Sequence, residues 1–258
     1  MFIKLRVRLL VLICFLSLAP RPGWGAITQD QTTGKVRASN VGSSTNFSFS
    51  TAPAAGSFVV VTFWGWKSGG YNASSVTDNQ GNTYTLVTGI AANRARAAYA
   101  YASNVTSSGT FTITINNSGS SGNYLIECAT SFTGVVTSSP ADASGSAEAD
   151  SDTTVDANVT ASGANSQSDE LVVAVMTFDH SSANDHITTP TTGYSELVIE
   201  NDGSTFVAGE AAYKVVSAAE TSSATWTHDN ANGEPWGAMI VTFKAAAASD
   251  FFGKRRMQ

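Results

Sequence analysis

Apolar side chains recur along this chain with a period of two. Phe111, Ile113 and Ile115 alternate with Thr110, Thr112 and Thr114, as a half-buried β-strand requires. In a second run Val60, Thr62, Trp64 and Trp66 share one face, and Val59, Val61, Phe63 and Gly65 share the other. Short β-branched and aromatic runs of this kind lie between Gly, Ser and Asn clusters, and no stretch has helical spacing. Strands are expected at roughly 45–50, 57–66, 82–88, 94–102, 110–116, 123–132, 153–160, 170–179, 194–200, 206–216, 223–228 and 236–244. Asp78-Asn-Gln-Gly81 reads as a turn between apolar runs, with Gly81 free to take a positive φ.

The pattern repeats once. Phe58–Phe63 matches Leu171–Phe178, Asn82–Val87 matches Gly193–Val198, and Ala97–Tyr101 matches Ala211–Val215. Thr110–Ile115 matches Ser223–His228, and Ala129–Phe132 matches Ile240–Phe243, in the same order. A repeat of this length implies duplicated domains rather than a short-period solenoid. The expected fold is therefore all-β, with two tandem, duplicated antiparallel β-sandwich or jelly-roll-like halves. The first half covers 26–136 and the second 153–245. A Ser/Ala/Gly-rich acidic linker spans 137–152, and a flexible tail with a basic end spans 246–258.

The start of the chain reads as an address. Lys4, Arg6 and Arg8 precede the apolar run Leu9–Ala19, which is about half the roughly 20 residues that a membrane span needs. Gly23-Trp24-Gly25 offers small residues for signal peptidase, so 1–25 is expected to be a cleavable signal peptide of bacterial type. The mature chain is then secreted or held at the cell surface, with no membrane span of its own. Cys14 leaves with the signal, and Cys128 remains alone in a strand-like run where burial is expected.

Charge is scarce and uneven. Charged residues are 13% of the chain and the formal net charge is −6. From Ala26 to Val135 five bases (Lys35, Arg37, Lys67, Arg94, Arg96) face three acids, giving +2. From Val136 to Asp250 seventeen acids face Lys214 and Lys244, giving −15. Such a half repels phosphate backbones, which excludes nucleic acid as a partner, and attracts divalent cations or basic surfaces.

Several of these segments together resemble a known class. They are Val76-Thr-Asp-Asn-Gln-Gly-Asn-Thr-Tyr-Thr-Leu-Val87, Glu127, Phe132-Thr-Gly-Val135, Ser139-Pro-Ala-Asp142 and Asp169-Glu-Leu-Val-Val-Ala174. The class is that of uncharacterised secreted bacterial β-sandwich proteins with a "TD..GNTY", "E…SGV…P.D" and "GDLVV" pattern. Phe132-Thr stands where Tyr-Ser is commoner, and Ser168-Asp-Glu where Gly-Asp is. The resemblance covers most of 36–244 and implies an exported all-β fold, with no agreed activity and no catalytic residues. The turn alone also resembles bacterial Ig-like adhesin repeats.

Three constellations can carry function. Trp64, Trp66 and Tyr71 can form an aromatic platform on which the apolar faces of sugar rings stack, or the two indoles can pack in a core. Trp226 and Trp236 are expected to be structural. Asp179-His180, Asp185-His186 and His228-Asp229 supply imidazoles and carboxylates for a transition metal, without a diagnostic spacing, or are satisfied or surface histidines. The acids Asp142, Glu148, Asp150, Asp152 and Asp156 can ligate Ca2+ or form a solvated acidic stretch. A divalent cation is thus the one cofactor these groups invite. Glu127 lies mid-strand among apolar residues and needs a partner, for which Arg94 or Arg96 is expected. No nucleophile elbow, phosphate loop or dinucleotide fingerprint is present.

The leading expectation is a non-catalytic secreted module that binds polysaccharide or cell-surface glycan, or builds an adhesive appendage. An extracellular glycan-active enzyme using carboxylates or a His/Asp-bound metal is the alternative. A structural subunit of an extracellular or virion-like assembly, oligomerising through strand edges, is the third reading.

Overall fold

The computed structural model describes residues 26–39, 41–67, 72–92, 95–118, 124–149, 156–179, 187–189, 191–201, 207–228 and 235–247. The expected signal peptide and the end of the basic tail lie outside them. Among the described residues there is no helix, and seventeen strands account for the secondary structure. In chain order they are β1 (Thr28–Thr32), β2 (Val36–Ser39), β3 (Ser44–Ser48), β4 (Phe58–Trp66), β5 (Ala73–Asp78), β6 (Thr85–Ala92), β7 (Ala95–Ala102), β8 (Thr112–Asn117) and β9 (Tyr124–Thr133). They continue as β10 (Ala141–Ala149), β11 (Asp156–Thr160), β12 (Glu170–Asp179), β13 (Ile187–Thr189), β14 (Ser195–Glu200), β15 (Val207–Val216), β16 (Ser223–His228) and β17 (Trp236–Lys244).

All strand pairs are antiparallel and form four sheets. Two are large, with orders β1-β9-β4-β7-β6 (β2 also pairs with β9) and β10-β17-β12-β15-β14. Two are small, β3-β8-β5 and β11-β16-β13. Three apolar cores separate four layers. Phe47, Phe111, Ile113 and Ile115 of the first small sheet and its flanking loop meet Val59, Val61, Phe63 and Leu125 of the first large sheet. The opposite face of that sheet, with Phe58, Val60, Trp64, Ile126 and Phe132, meets Leu171, Val173, Val175, Val241 and Phe243 of the second large sheet. The far face of the second sheet, with Val172, Met176, Phe178 and Ile240, meets Val159, Ile187 and Trp226.

The sequence explains which strand goes where. β4 and β12 are apolar at successive positions, so both of their faces must leave water, and every residue of β12 is buried. β8 and β11 alternate strictly, so each has one wet face. The twelve expected strands correspond to β3, β4, β6–β9, β11, β12 and β14–β17. The stretch expected to be a linker carries β10, which pairs with β17 from Ala141↔Phe243 to Ala149↔Trp236. Its Ala, Ser and Gly residues give it too little hydrophobicity to announce an edge strand. Gly81 has φ of 81°, as its turn requires.

The central core closes through matched sizes. Trp64 has no exposed surface and packs over Gly209 of β15. A Cβ at Gly209 would lie 2.5 Å from the Met176 carbonyl oxygen and 2.7 Å from the Trp64 indole. The expected outcome for Gly209→Ala is therefore a loss of about 2–3 kcal/mol by overpacking. Gly163, with nothing within 4 Å of its added Cβ, is the control, and Gly163→Ala should stay within about 0.5 kcal/mol. Urea unfolding midpoints of the two variants measure the difference.

Candidate functional site

Trp64 and Trp66 do not form the expected aromatic platform. Trp64 lies wholly in the core between the two large sheets, because its face of β4 is covered by the second sheet. Trp66, at the end of the same strand, is partly buried, and its indole N–H donates to Asp179 Oδ1 at 2.9 Å. The two rings are thus parts of the seam between the sheets and form no exposed coplanar pair. Tyr71 lies outside the described residues. Trp226 and Trp236 are buried, as expected of structural indoles.

For the metal constellation, Asp179 is buried and engaged by Trp66. His180, Asp185, His186 and Asp229 lie outside the described residues. For His228 only the backbone position in β16, opposite Ile187, is described. Asp150 and Asp152 also lie outside. Asp142 and Glu148 are exposed on β10, and Asp156 accepts from the Thr227 hydroxyl across β11 and β16 at 2.9 Å. Among the described residues no three His, Cys, Asp or Glu side chains gather as metal ligands.

The turn that carries the family-like pattern is a closed polar staple. Asp78 Oδ1 accepts from the backbone N–H groups of Gln80 and Asn82, and Oδ2 accepts from Asn82 Nδ2 and the Tyr84 hydroxyl. Asn82 then exchanges two hydrogen bonds with the Thr106 backbone, at 2.7 and 2.9 Å. Asn79 does the same with the Thr110 carbonyl and the Thr112 N–H. The motif ties the β5–β6 turn to the β7–β8 loop, which accounts for its Asx-rich composition.

Glu127 is buried between the first small and first large sheets, where Thr45 Oγ1 donates to it. The expected pairing with Arg96 does not form. Arg96 stands opposite Gly65 and donates to Asn72 Oδ1, whereas Glu127 stands opposite Phe63. Arg94 lies outside the described residues. Cys128 is buried, as expected, and burial pushes its thiol pKa up.

Sequence reasoning missed the ionic contact across the seam. Glu200 of β14, with no exposed surface, receives Arg37 of β2 in a two-pronged contact, Nη2 to Oε1 at 2.6 Å and Nε to Oε2 at 3.0 Å. Lys35 Nζ stands 3.5 Å from the same carboxylate. The charge imbalance between the halves was the available signal, though it named no partner.

The most regular surface is polar. The outer face of β3-β8-β5 carries Ser44, Asn46 and Ser48, then Thr112, Thr114 and Asn116, then Ser75 and Thr77. Cross-strand hydrogen bonds fix several of them: Ser48 with Thr112 at 2.8 Å, Thr114 to Asn46 at 2.7 Å, and Asn116 to Ser75 at 2.9 Å. The opposite end of the stack repeats the device, with Thr225 donating to Asn158 at 2.6 Å and Thr227 to Asp156 at 2.9 Å. Comparison with known proteins finds no matching family model, no matching curated protein and no matching solved structure.

Three buried glutamates set a pH dependence. Burial raises the carboxyl pKa of Glu127 to about 7, against the Thr45 hydrogen bond. Burial also raises Glu170 to about 7, helped by the neighbouring Asp142 carboxylate. Glu210 is raised to about 7 by burial, against the Thr191 N–H that it accepts. Each folded pKa lies above the unfolded value, so the folded state holds protons that the unfolded state has lost. The stability these three groups contribute is fully present below about pH 4.5 and is lost as pH rises through about 7, by an amount on the order of a few kcal/mol. Urea unfolding between pH 4.5 and 8 should show this decline, and Glu127→Gln should make it shallower.

Proposed function

We propose that this protein is a non-catalytic, exported binding module that lies against polysaccharide or cell-surface glycan through its outer sheet faces. The observation that carries the reading is the cross-strand array of Ser, Thr and Asn side chains on β3-β8-β5. Neighbouring strands are about 4.8 Å apart, and outward residues on one strand about 6.7 Å apart. Donors and acceptors are therefore held on a flat lattice by short side chains that lose little rotamer freedom on binding. A neutral, hydroxyl-rich polymer matches such a surface, and the acidic second half disfavours nucleic acid.

Duplication belongs to the same reading. The large sheets share the order edge–last–second–fourth–third when the strands that supply their edges and centres are counted within each half. The small sheets β3-β8-β5 and β11-β16-β13 correspond in the same way. Together with the five matched sequence segments, these orders support a tandem copy whose two outer faces would engage ligand at opposite ends of one particle. The basic, apolar start of the chain supports export, and the resemblance to secreted bacterial β-sandwich proteins is consistent with it.

The assembly reading is weaker for a specific reason. Among the described strand pairs the register shifts fall on edge strands, at β1, β5, β6, β10, β13 and β14, while the edges β3 and β11 pair without one. Bulged edges resist the addition of a further strand.

Sedimentation with insoluble cellulose and chitin, alongside a glycan array with and without EDTA, tests the proposal. Binding is expected in both conditions. The double variant Asn46→Lys/Thr114→Lys should weaken it by at least about tenfold, equivalent to ~1.4 kcal/mol, with the melting temperature kept. Undiminished binding by this variant, or binding to no glycan, overturns the reading.

A further inference from the structure

A cavity of about 260 Å3 opens at one side of the seam, where the edge strands β6 and β10 of the two large sheets overhang the core. Thr88 lines it from β6, and Ser144 and Ser146 from β10. Val87, Tyr99 of β7 and Met239 of β17 supply the apolar part of its wall. Tyr99 and Met239 are only 3% and 5% exposed. Among the described residues no charged side chain lines the cavity.

Two glycines shape it. A Cβ at Gly89 would lie 1.8 Å from the Ala97 carbonyl oxygen and 2.5 Å from Met239 Sδ. One at Gly145 would lie 2.1 Å from the Thr160 carbonyl oxygen. At both positions of the rim, therefore, only hydrogen fits, and the edges settle close to their neighbours while the space between them stays open. Tyr99 is almost wholly within the fold and lines the cavity from β7. Burial raises its pKa, so the group is a neutral O–H donor throughout the physiological range. With Thr88, Ser144 and Ser146, it gives the cavity wall four hydroxyl-bearing side chains that can exchange hydrogen bonds with a ligand or with water.

We propose that this cavity binds a single neutral pyranose ring. The volume sits just under the range of about 300–1,000 Å3 that serves drug-sized ligands, which limits the occupant to about one ring. Hydroxyls on the two facing strands and on Tyr99 meet the ring's hydroxyls. Met239, Val87 and the Tyr99 ring give its C–H face an apolar surface. The absence of a charged lining residue selects against uronic acids and amino sugars with a free ammonium, because a buried ion without a counter-charge is costly.

This inference does not depend on the outer sheet faces. Free monosaccharide in solution reports on the cavity, whereas sedimentation on insoluble polymer reports on the faces, so each reading fails on its own assay. Saturation-transfer NMR of the full chain uses methyl β-D-glucopyranoside, methyl β-D-galactopyranoside and methyl α-D-mannopyranoside as probes, with glucuronate as the charged comparison. Saturable binding of at least one neutral probe is expected, with glucuronate clearly weaker. Ser146→Trp, at an exposed strand position, fills the space and should abolish the signal, and Ser144→Leu provides a second blocking variant should the first not fold. Tyr99→Phe removes one hydrogen bond and should weaken binding by about five- to tenfold. Absence of saturable transfer from all three neutral probes, as from a cavity holding only water, overturns the proposal. So does binding that survives in both blocked variants, or equal binding of glucuronate.

Discussion

Withdrawing both faces of two large sheets from water is the constraint on which this molecule rests. Each small sheet covers only one face of its large neighbour. The other face of the β4-centred sheet carries Phe58, Val60, Trp64, Ile126 and Phe132, and would be a large apolar patch if left bare. It is covered by the equivalent face of the β12-centred sheet. The two sandwiches are therefore joined by a core as continuous as those within each of them, and neither has a complete surface alone. Small residues make the closure possible. Ala95 and Ala97 on β7 and Ala211 on β15 face the seam, and Gly209 makes room for the Trp64 indole.

Polar contacts at the margins of this seam act as locators rather than as its main source of stability. Tyr213 donates to Gln29 at 3.0 Å, Trp66 to Asp179 at 2.9 Å, and Arg37 grips Glu200 with two nitrogens. A buried ion pair gains little net free energy over an apolar contact, but removal of one member leaves a charge stranded. At Glu200 Arg37 supplies the two-pronged part of the contact, and Lys35 stands 3.5 Å from the same carboxylate. The contact thus fixes β2 against β14 by excluding alternatives, and Arg37 and Lys35 together commit two of the few cations of the first half to the acidic second half.

The alternation of Phe111, Ile113 and Ile115 with threonines was sufficient to identify β8, and the unbroken apolar run from Leu171 was sufficient to identify β12. What a period of two cannot say is how many faces are covered. Trp64 and Trp66 lie on one side of β4, and only the partner sheet decides that this side is interior. β10 escaped notice because an edge strand with one partner needs no hydrophobic signature, and Ala143, Ala147 and Ala149 cover the core with methyl groups alone. Glu127 was rightly singled out as a carboxyl needing a partner. Its nearest help comes from Thr45 on another sheet, a long-range pairing that strand spacing does not encode. The Asp78 turn was legible as a turn, but its bonds to Thr106, Thr110 and Thr112 required the β7–β8 loop to be in place.

The scarcity of charge becomes intelligible from the same architecture. With two sheets internal, the flat faces left to water belong to the two thin outer sheets and the edges. Lysine and glutamate would cover those faces with long, mobile, strongly hydrated side chains. Serine, threonine and asparagine instead leave a shallow relief in which each hydroxyl or amide is held by its cross-strand neighbour, as Thr114 is by Asn46 and Thr225 by Asn158. Such a surface holds its donors and acceptors at the spacing of the strands. The seam cavity follows the same logic on a smaller scale, since its described lining consists of hydroxyl-bearing side chains from two facing strands, Tyr99 and apolar groups, with no charged side chain among them. A neutral, hydroxylated ligand is the chemistry that both surfaces would recognise without the desolvation cost that a charged partner would impose.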